Sequence, residues 1–398
     1  MMEQGRQSAK QMKLGVMMRD ESERHREFPV TRHQAFLAHA GDCPLPSRVA
    51  QAIRDYAESA SLGDQEKSVP HELLAGARAA AAALLEVAWE EVAMVGPTSL
   101  GLSLVASGFP LRRGDNVVIY FDDYPSNVYP WLALAQRGVK VRFVHARAWG
   151  RVKPYDILEQ VDEQTRLVAM STCHFITGWR LDYAEVAKEL DRQGVALCLD
   201  GIQTIGAFPT PLKHVAFMAA DAHKWMLGPC GAGLFYVRKD WQEKLRPAVL
   251  GWNNVRCPGF VASEIMEYRS GARRYEAGSY NWLGIAGMKA GMDLLLEAGV
   301  GEIAKELLRK RSVMVSGLLE RGFEVLEPGM EPRNASGIVS FRRGQDAMAP
   351  LHASLEASGV ITSLRVNPAG VQWIRLSPHF YNADADLDRL FECLKAAE

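Results

Sequence analysis

Residues 221–233 read DAHKWMLGPCGAG, placing one lysine, Lys224, between His223 and Trp225 and following it with three glycines in six residues (Gly228, Gly231, Gly233). A lysine beside Trp225, Met226 and Leu227 is either a packing feature or an amine held in a mostly apolar pocket. In such a pocket, lost hydration favours the neutral, nucleophilic form. The glycines precede an apolar β-rich run, GLFYVR (233–238), whereas the glycines of a dinucleotide-binding fingerprint open a helix. No Gly-Lys-Ser/Thr triplet of a P-loop is present either.

Working outward, six further runs share the character of GLFYVR: EVAMVG (91–96), NVVIYF (116–121), VKVRFV (139–144), RLVAMS (166–171), VALCLD (195–200) and HVAFMAA (214–220). They alternate with helical or polar stretches, and several are apolar nearly throughout, as expected of strands covered on both faces in a mainly parallel sheet. The predicted fold class is α/β with seven strands. After about residue 295 a long helical stretch (299–322) leads to shorter strand-like runs, FEVLE, GIVSF, GVITSL and WIRLS, and a last helix from Asp384. The expected organisation is an N-terminal segment, 1–60, packing on the rest; a large domain, 61–290; and a small α+β domain, 291–398.

Composition narrows the class. The 398 residues are 48% hydrophobic, enough for a large core and a second, smaller one, and carry 46 basic against 47 acidic side chains. That balance, with no long run of one sign, disfavours nucleic acid or a membrane surface as partner. The six cysteines are scattered with no zinc spacing and read as reduced thiols. The first 28 residues hold no apolar run of signal length, so the expected location is cytoplasmic.

In an open α/β sheet ligands bind beyond the carboxyl ends of the strands. After EVAMVG come Thr98 and Ser99 at a helix start, suited to a phosphate. Tyr124 follows NVVIYF, and His174 follows RLVAMS. VALCLD ends in Asp200, with Gln203 three residues on; HVAFMAA leads to Asp221, His223 and Lys224. Singly, each has a plain structural reading as a cap or packing group. Together, a phosphate cradle, an aromatic plate, an acid and a lysine are what pyridoxal phosphate requires: a Schiff base to the amine, a protonated ring nitrogen and a stacked ring.

These residues resemble the class V aminotransferase family of pyridoxal phosphate enzymes, in particular the branch of isopenicillin N epimerase-like and cysteine desulfurase-related proteins. The resemblance spans most of the chain: FPVTRHQAFLAHAGDCPLPSRV, FDDYPSNVYPW, LCLDGIQTIGAFP, DAHKWMLGPCGAG, YEAGSYNWLGIAGM and IRLSPHFYNADADLDRL. It implies fold type I. It also implies that Lys224 carries the cofactor, Asp200 pairs with the pyridine nitrogen, Gln203 bonds the ring oxygen and Tyr124 stacks on the ring. Thr98, Ser99 and His223 become phosphate ligands, and Arg375 binds the substrate α-carboxylate, with Arg365 either assisting or a surface residue. Ser279 would reach the neighbouring subunit's cofactor phosphate, which implies a homodimer with shared sites. Asp221 stands where desulfurases have a phosphate-binding serine and is expected to orient the turn instead; Phe175 stands where they tend to have asparagine.

Desulfurases of this family carry a cysteine on a loop ahead of the C-terminal arginine. Here no cysteine lies between Cys257 and Cys393, and LRVNPAGVQWIRLS leaves no room for that loop. The expected chemistry is therefore at the α-carbon of an amino acid: transamination first, with β-elimination or epimerisation as alternatives, desulfuration less favoured, and a non-catalytic cofactor-binding regulator last.

Overall fold

The computed structural model describes residues 20–70 and 72–396. All seven predicted runs form strands of one sheet: β2 (Val92–Val95), β3 (Asn116–Ile119), β4 (Lys140–Phe143), β5 (Thr165–Ser171), β6 (Ala196–Asp200), β7 (Phe217–Asp221) and β8 (Gly233–Val237). Their order is β2-β8-β7-β6-β5-β3-β4. Only β8 is reversed, pairing antiparallel with β2 and β7, so the other six strands present their carboxyl ends at one edge.

The unbroken apolar runs have a direct cause. Successive side chains of a strand point to opposite faces, and here each face is a separate core. Val118, Val168, Met170, Leu197, Leu199 and Met218 belong to one, and Val117, Ile119, Leu167, Ala169, Cys198 and Phe217 to the other. Helix Thr98–Gly108 covers the second face, and Gly101 permits its close approach: a Cβ there would lie 2.6 Å from that of Ala219 on β7. The start of the helix is thereby held beside the end of β7, where the amide of Asp221 donates to the Thr98 hydroxyl at 2.9 Å.

Toward the C-terminus, helix Val300–Glu320 leads to β9 (Glu324–Val325), β10 (Val339–Arg342), β12 (Ser363–Val366) and β13 (Gln372–Leu376), an antiparallel sheet of order β12-β13-β10-β9. The run GVITSL is not one strand. It divides at Thr362: β11 (Val360–Ile361) leaves the sheet to pair in parallel with β1 (Ala35–Phe36). A third core, including Leu37, Met314, Phe341, Ile374 and Leu390, lies beneath.

Residues 35–43 cross between the sheets. After β1, the amide of His39 donates to the carbonyl of Ser377, Ala40 to the Ser377 hydroxyl, and Cys43 to the carbonyl of His223 at 2.7 Å. Helix Ser47–Ser61 then packs on helix Trp282–Ala298. No helix among the described residues is long and apolar enough to cross a membrane. Residues 1–19, which carry most of the segment without a signal-like run, lie outside the described residues.

Candidate active site

The carboxyl edge of the seven-stranded sheet opens into a cavity of about 590 Å³. Lys224 enters it from the turn after β7. Trp225, Met226 and Leu227 are buried in the core, Leu227 in the left-handed region at φ 57°, and the turn is tied by Leu227 N–H to the carbonyl of Lys224 and Gly228 N–H to that of Ala222. The core thus holds every side chain of the turn except the amine. Lys224 Nζ lies 5.3 Å from the ring centroid of Tyr124 and makes no hydrogen bond to the described residues. Burial pushes the amine down to about 8, against the pull of the Asp200 charge and with the help of Arg375.

Asp200 ends β6 and lines the same cavity. One carboxyl oxygen accepts from Ile202 N–H at 3.0 Å, leaving the other free. Burial pushes this carboxyl up to about 7, and the charge of Asp123 pushes the same way. Asp123, which the sequence reading passed over, is itself buried. It accepts four hydrogen bonds: from Tyr124 N–H at 2.7 Å, Asn127 Nδ2 at 3.1 Å, and the amide and hydroxyl of Ser171 at 3.1 and 2.8 Å. The adjacent acids in FDDYPSN were the available signal.

Thr98 and Ser99 open helix Thr98–Gly108 and line the cavity. The first amides of a helix lack intrahelical partners, which makes this end a natural anion site. His223 also lines it, with Nδ1 2.9 Å from an Asp221 oxygen and Nε2 3.7 Å from Asp42. Asp221 faces away from the cavity, accepting from the amides of His223 and Gly231 at 3.3 and 3.2 Å, so its carboxylate ties the lysine turn together.

Not every residue singled out lies in the cavity. The Gln203 side chain is held by the protein: its oxygen accepts from the Trp225 indole at 2.8 Å and its nitrogen donates to the Ala40 carbonyl at 3.0 Å. His174 is buried against the Asp122 carbonyl and Thr177, with its neighbour Phe175 taking the lining position and meeting Tyr124 edge to face at 5.3 Å. Ser279 is exposed and borders a separate cavity of about 290 Å³ beside Tyr280 and Asn281.

Arg375 and Arg365 both line the main cavity. Arg375, 1% exposed, donates to the Phe175 carbonyl at 2.6 Å. Burial and the neighbouring Arg365 both act against its charge. Gly41 and Asp42, from the crossing segment 35–43, complete the wall; the sequence offered no chemical signal for Gly41.

This donor set suits a phosphorylated pyridine aldehyde. It offers unpaired amides at a helix start, a free amine with depressed basicity, a buried carboxyl with one open oxygen, and an aromatic face in front of the amine. Residues 35–390 match the family model for aminotransferase class V. A probable cysteine desulfurase of Methanothermobacter thermautotrophicus is 28% identical, covering 96% of this chain and 98% of the relative. An uncharacterized aminotransferase of Bacillus subtilis, YcbU, is also 28% identical, covering 90% and 93%. Among solved structures, an apo cysteine desulfurase from Thermococcus onnurineus superposes with a TM-score of 0.85 at 22% identity, covering 96% of this chain and 98% of that one. The cystine C-S lyase C-DES in complex with cysteine persulfide gives 0.84 at 21% identity, covering 92% and 98%. These neighbours share the fold, type I of the pyridoxal phosphate enzymes.

Proposed function

The chain belongs to the class V aminotransferase family, and on that premise we propose that it binds pyridoxal phosphate at Lys224 and acts as an aminotransferase at the α-carbon of an amino acid. The observation that carries this is the placing of the Lys224 amine, buried, unbonded and lowered to about 8, in one cavity with Asp200 and Arg375. A lysine of ordinary basicity would be a poor proton carrier at neutral pH; one near 8 serves as both base and acid.

When bound, the cofactor supplies an electron sink for charge developing at the substrate α-carbon. The chain's own groups do the rest. Thr98, Ser99 and His223 hold the phosphate. Asp200 holds a proton at the ring nitrogen. Tyr124 covers one ring face and excludes water, while Gln203, outside the cavity and bonded to Trp225 and Ala40, positions the residue that follows Lys224. Arg375 orients the substrate by its α-carboxylate through a charge-assisted fork, and Lys224 moves the proton at the α-carbon. Ser279, exposed in its own chain, serves the phosphate of a second copy in a homodimer.

Several relatives carry the name cysteine desulfurase, but the segment between β12 and β13 supports a different outcome. Asn367 to Val371 form a tight turn, with Asn367 Oδ1 accepting from Ala369 and Val371 N–H and the Asn367 amide donating to the Val371 carbonyl. No thiol is present in that turn, nor among the residues lining the cavity. Transfer of the sulfur of cysteine to an enzyme thiol therefore lacks its nucleophile at the cavity.

The test is an absorbance spectrum of the purified holoenzyme with a panel of amino acids and then a keto acid. Conversion of the bound cofactor to its aminated form by an amino acid, reversed by the keto acid, is the expected result. Release of pyruvate and ammonia would make the enzyme a lyase, α-proton exchange alone an epimerase, and alanine with sulfane sulfur from cysteine a desulfurase. A protein that takes up no cofactor would overturn the reading altogether.

A further inference from the structure

Two guanidinium groups share the cavity wall where one α-carboxylate needs only one. Arg365 on β12 pairs with Trp373, and Arg375 on β13 pairs with Ser363. Directly opposed residues share a face, so the two arginines are diagonal neighbours on one face of the hairpin. Their Nη2 atoms converge: each lies within 3.6 Å of the point that a Cβ on Gly41 would occupy.

Neither arginine has a carboxylate within ion-pair distance among the described residues. Arg375 Nη1 donates to the Phe175 carbonyl, Nη2 reaches Ser363 Oγ only at 3.4 Å, and Nε is buried with no partner. Arg365, half-buried, donates from Nη1 to the adjacent carbonyl of Leu364 at 2.9 Å. Two buried like charges side by side disfavour each other, and an incoming anion relieves both. The acids that line the cavity are Asp200, beside Lys224, and Asp42, whose side chain is 76% exposed and lies nearest His223. Neither forms an ion pair with an arginine, although the Asp42 charge draws on both from a distance.

Resting on the α-carbon chemistry proposed above, we infer that the substrates are dicarboxylic α-amino acids and their keto acids, with the α-carboxylate on Arg375 and the side-chain carboxylate on Arg365. Arg375 is the deeper and more constrained of the two, as the reacting end requires. Arg365, less buried, meets the distal end. It is a specificity-determining residue: a neutral amino acid leaves its charge unpaired in the complex.

The experiment compares kcat/KM for glutamate, aspartate and alanine in the wild-type holoenzyme, Arg365→Ala and Arg365→Lys. It also measures binding of succinate and propionate to the same proteins by calorimetry. Removing one charge-assisted contact lowers the glutamate-to-alanine (or aspartate-to-alanine) ratio by roughly 10- to 100-fold, mainly through KM, with partial recovery in the lysine variant. Succinate binding weakens with it, and propionate far less. An unchanged ratio in Arg365→Ala, or equal loss for alanine and glutamate, would overturn the inference, the latter because both arginines would then clamp one carboxylate. If no amino acid alters the cofactor spectrum while succinate still outbinds propionate through Arg365, the reaction reading fails and the diacid subsite stands.

Discussion

Asp123 and Asp200 are joined through one residue: Ser171 gives both its amide and its hydroxyl to Asp123 and is the register partner of Asp200 across β5 and β6. Two acids are thus fixed beneath the cavity. Burial, with Asp123 adding to it, raises Asp200 from 3.8 to about 7. Between those values the folded chain keeps a proton at Asp200 that the unfolded chain has released, so this group's contribution to the stability of the cofactor-free protein falls as pH rises across the window, by on the order of a few kcal/mol. The buried His39, His174 and His379, whose basicity is lowered, contribute in the opposite sense. Urea unfolding at stepped pH should therefore show the difference in stability between wild type and Asp200→Asn falling across the window, and falling less when both chains also carry Asp123→Asn. A wild-type profile parallel to that of Asp200→Asn would refute the raised carboxyl.

Lys224→Ala should remove the borohydride-reducible attachment of cofactor and lower turnover by roughly 10²- to 10⁴-fold, the usual worth of a positioned proton carrier. Mass spectrometry after reduction reads the first effect directly. An adduct at another lysine in the variant would move the site.

The seven-strand sheet was legible because most of its runs fill two cores and so carry a nearly continuous apolar signal, the edge strand β4 with Lys140 and Arg142 being the exception. Its one reversed member was not, since GLFYVR has the same composition as its parallel neighbours, and direction is a tertiary property. GVITSL was read as one strand because nothing in its residues marks Thr362 as the point where the chain changes sheets. In the site, Lys224, Asp200, Tyr124 and Arg375 stood out as chemistry-bearing types after strands or in a family motif. Asp123 did not, because its role depends on Ser171 and Asn127 arriving from other turns. Arg365 remained divided between surface and site until the pairing of β12 with β13 put it diagonal to Arg375.

Glu276 holds the segment that carries Ser279. It pairs with Arg78 at 2.6 Å with both side chains buried, and also accepts from Met94 N–H and the Tyr280 hydroxyl. Glu276→Ala strands the Arg78 charge and should cost about 3–5 kcal/mol in chemical unfolding. A loss below about 1 kcal/mol would mean that Arg78 finds water or another acceptor.

Gly206 sits at φ 90°, and a Cβ there would lie 2.5 Å from the Trp225 carbonyl and 2.8 Å from Leu295 Cδ1. Gly206→Ala should destabilise by about 2–4 kcal/mol through overpacking and backbone strain. It should also weaken covalent cofactor retention, because the displaced carbonyl belongs to the residue after Lys224. Thermal unfolding and the cofactor spectrum together check this; normal retention would show that the lysine turn tolerates the shift.

Shared sites are open to a complementation test. Chains bearing Lys224→Ala and chains bearing Ser279→Asp, each impaired alone, should regain activity on mixing up to about one quarter of the wild-type level, since random pairing makes half the dimers hybrid and each hybrid holds one intact site. No recovery on proven subunit exchange would place Ser279 outside the partner's site.

The segment 35–43 gives these observations a mechanical meaning. One end is laced to β11 and to Ser377 at the end of β13, and the other is fastened to the carbonyl of His223, next to the lysine. The arginine wall and the amine are therefore two jaws on a common tether. Any swing that widens the gap must stretch or unfasten that tether, so a displacement of the strand end that precedes Ser377 is carried through 35–43 toward the lysine turn.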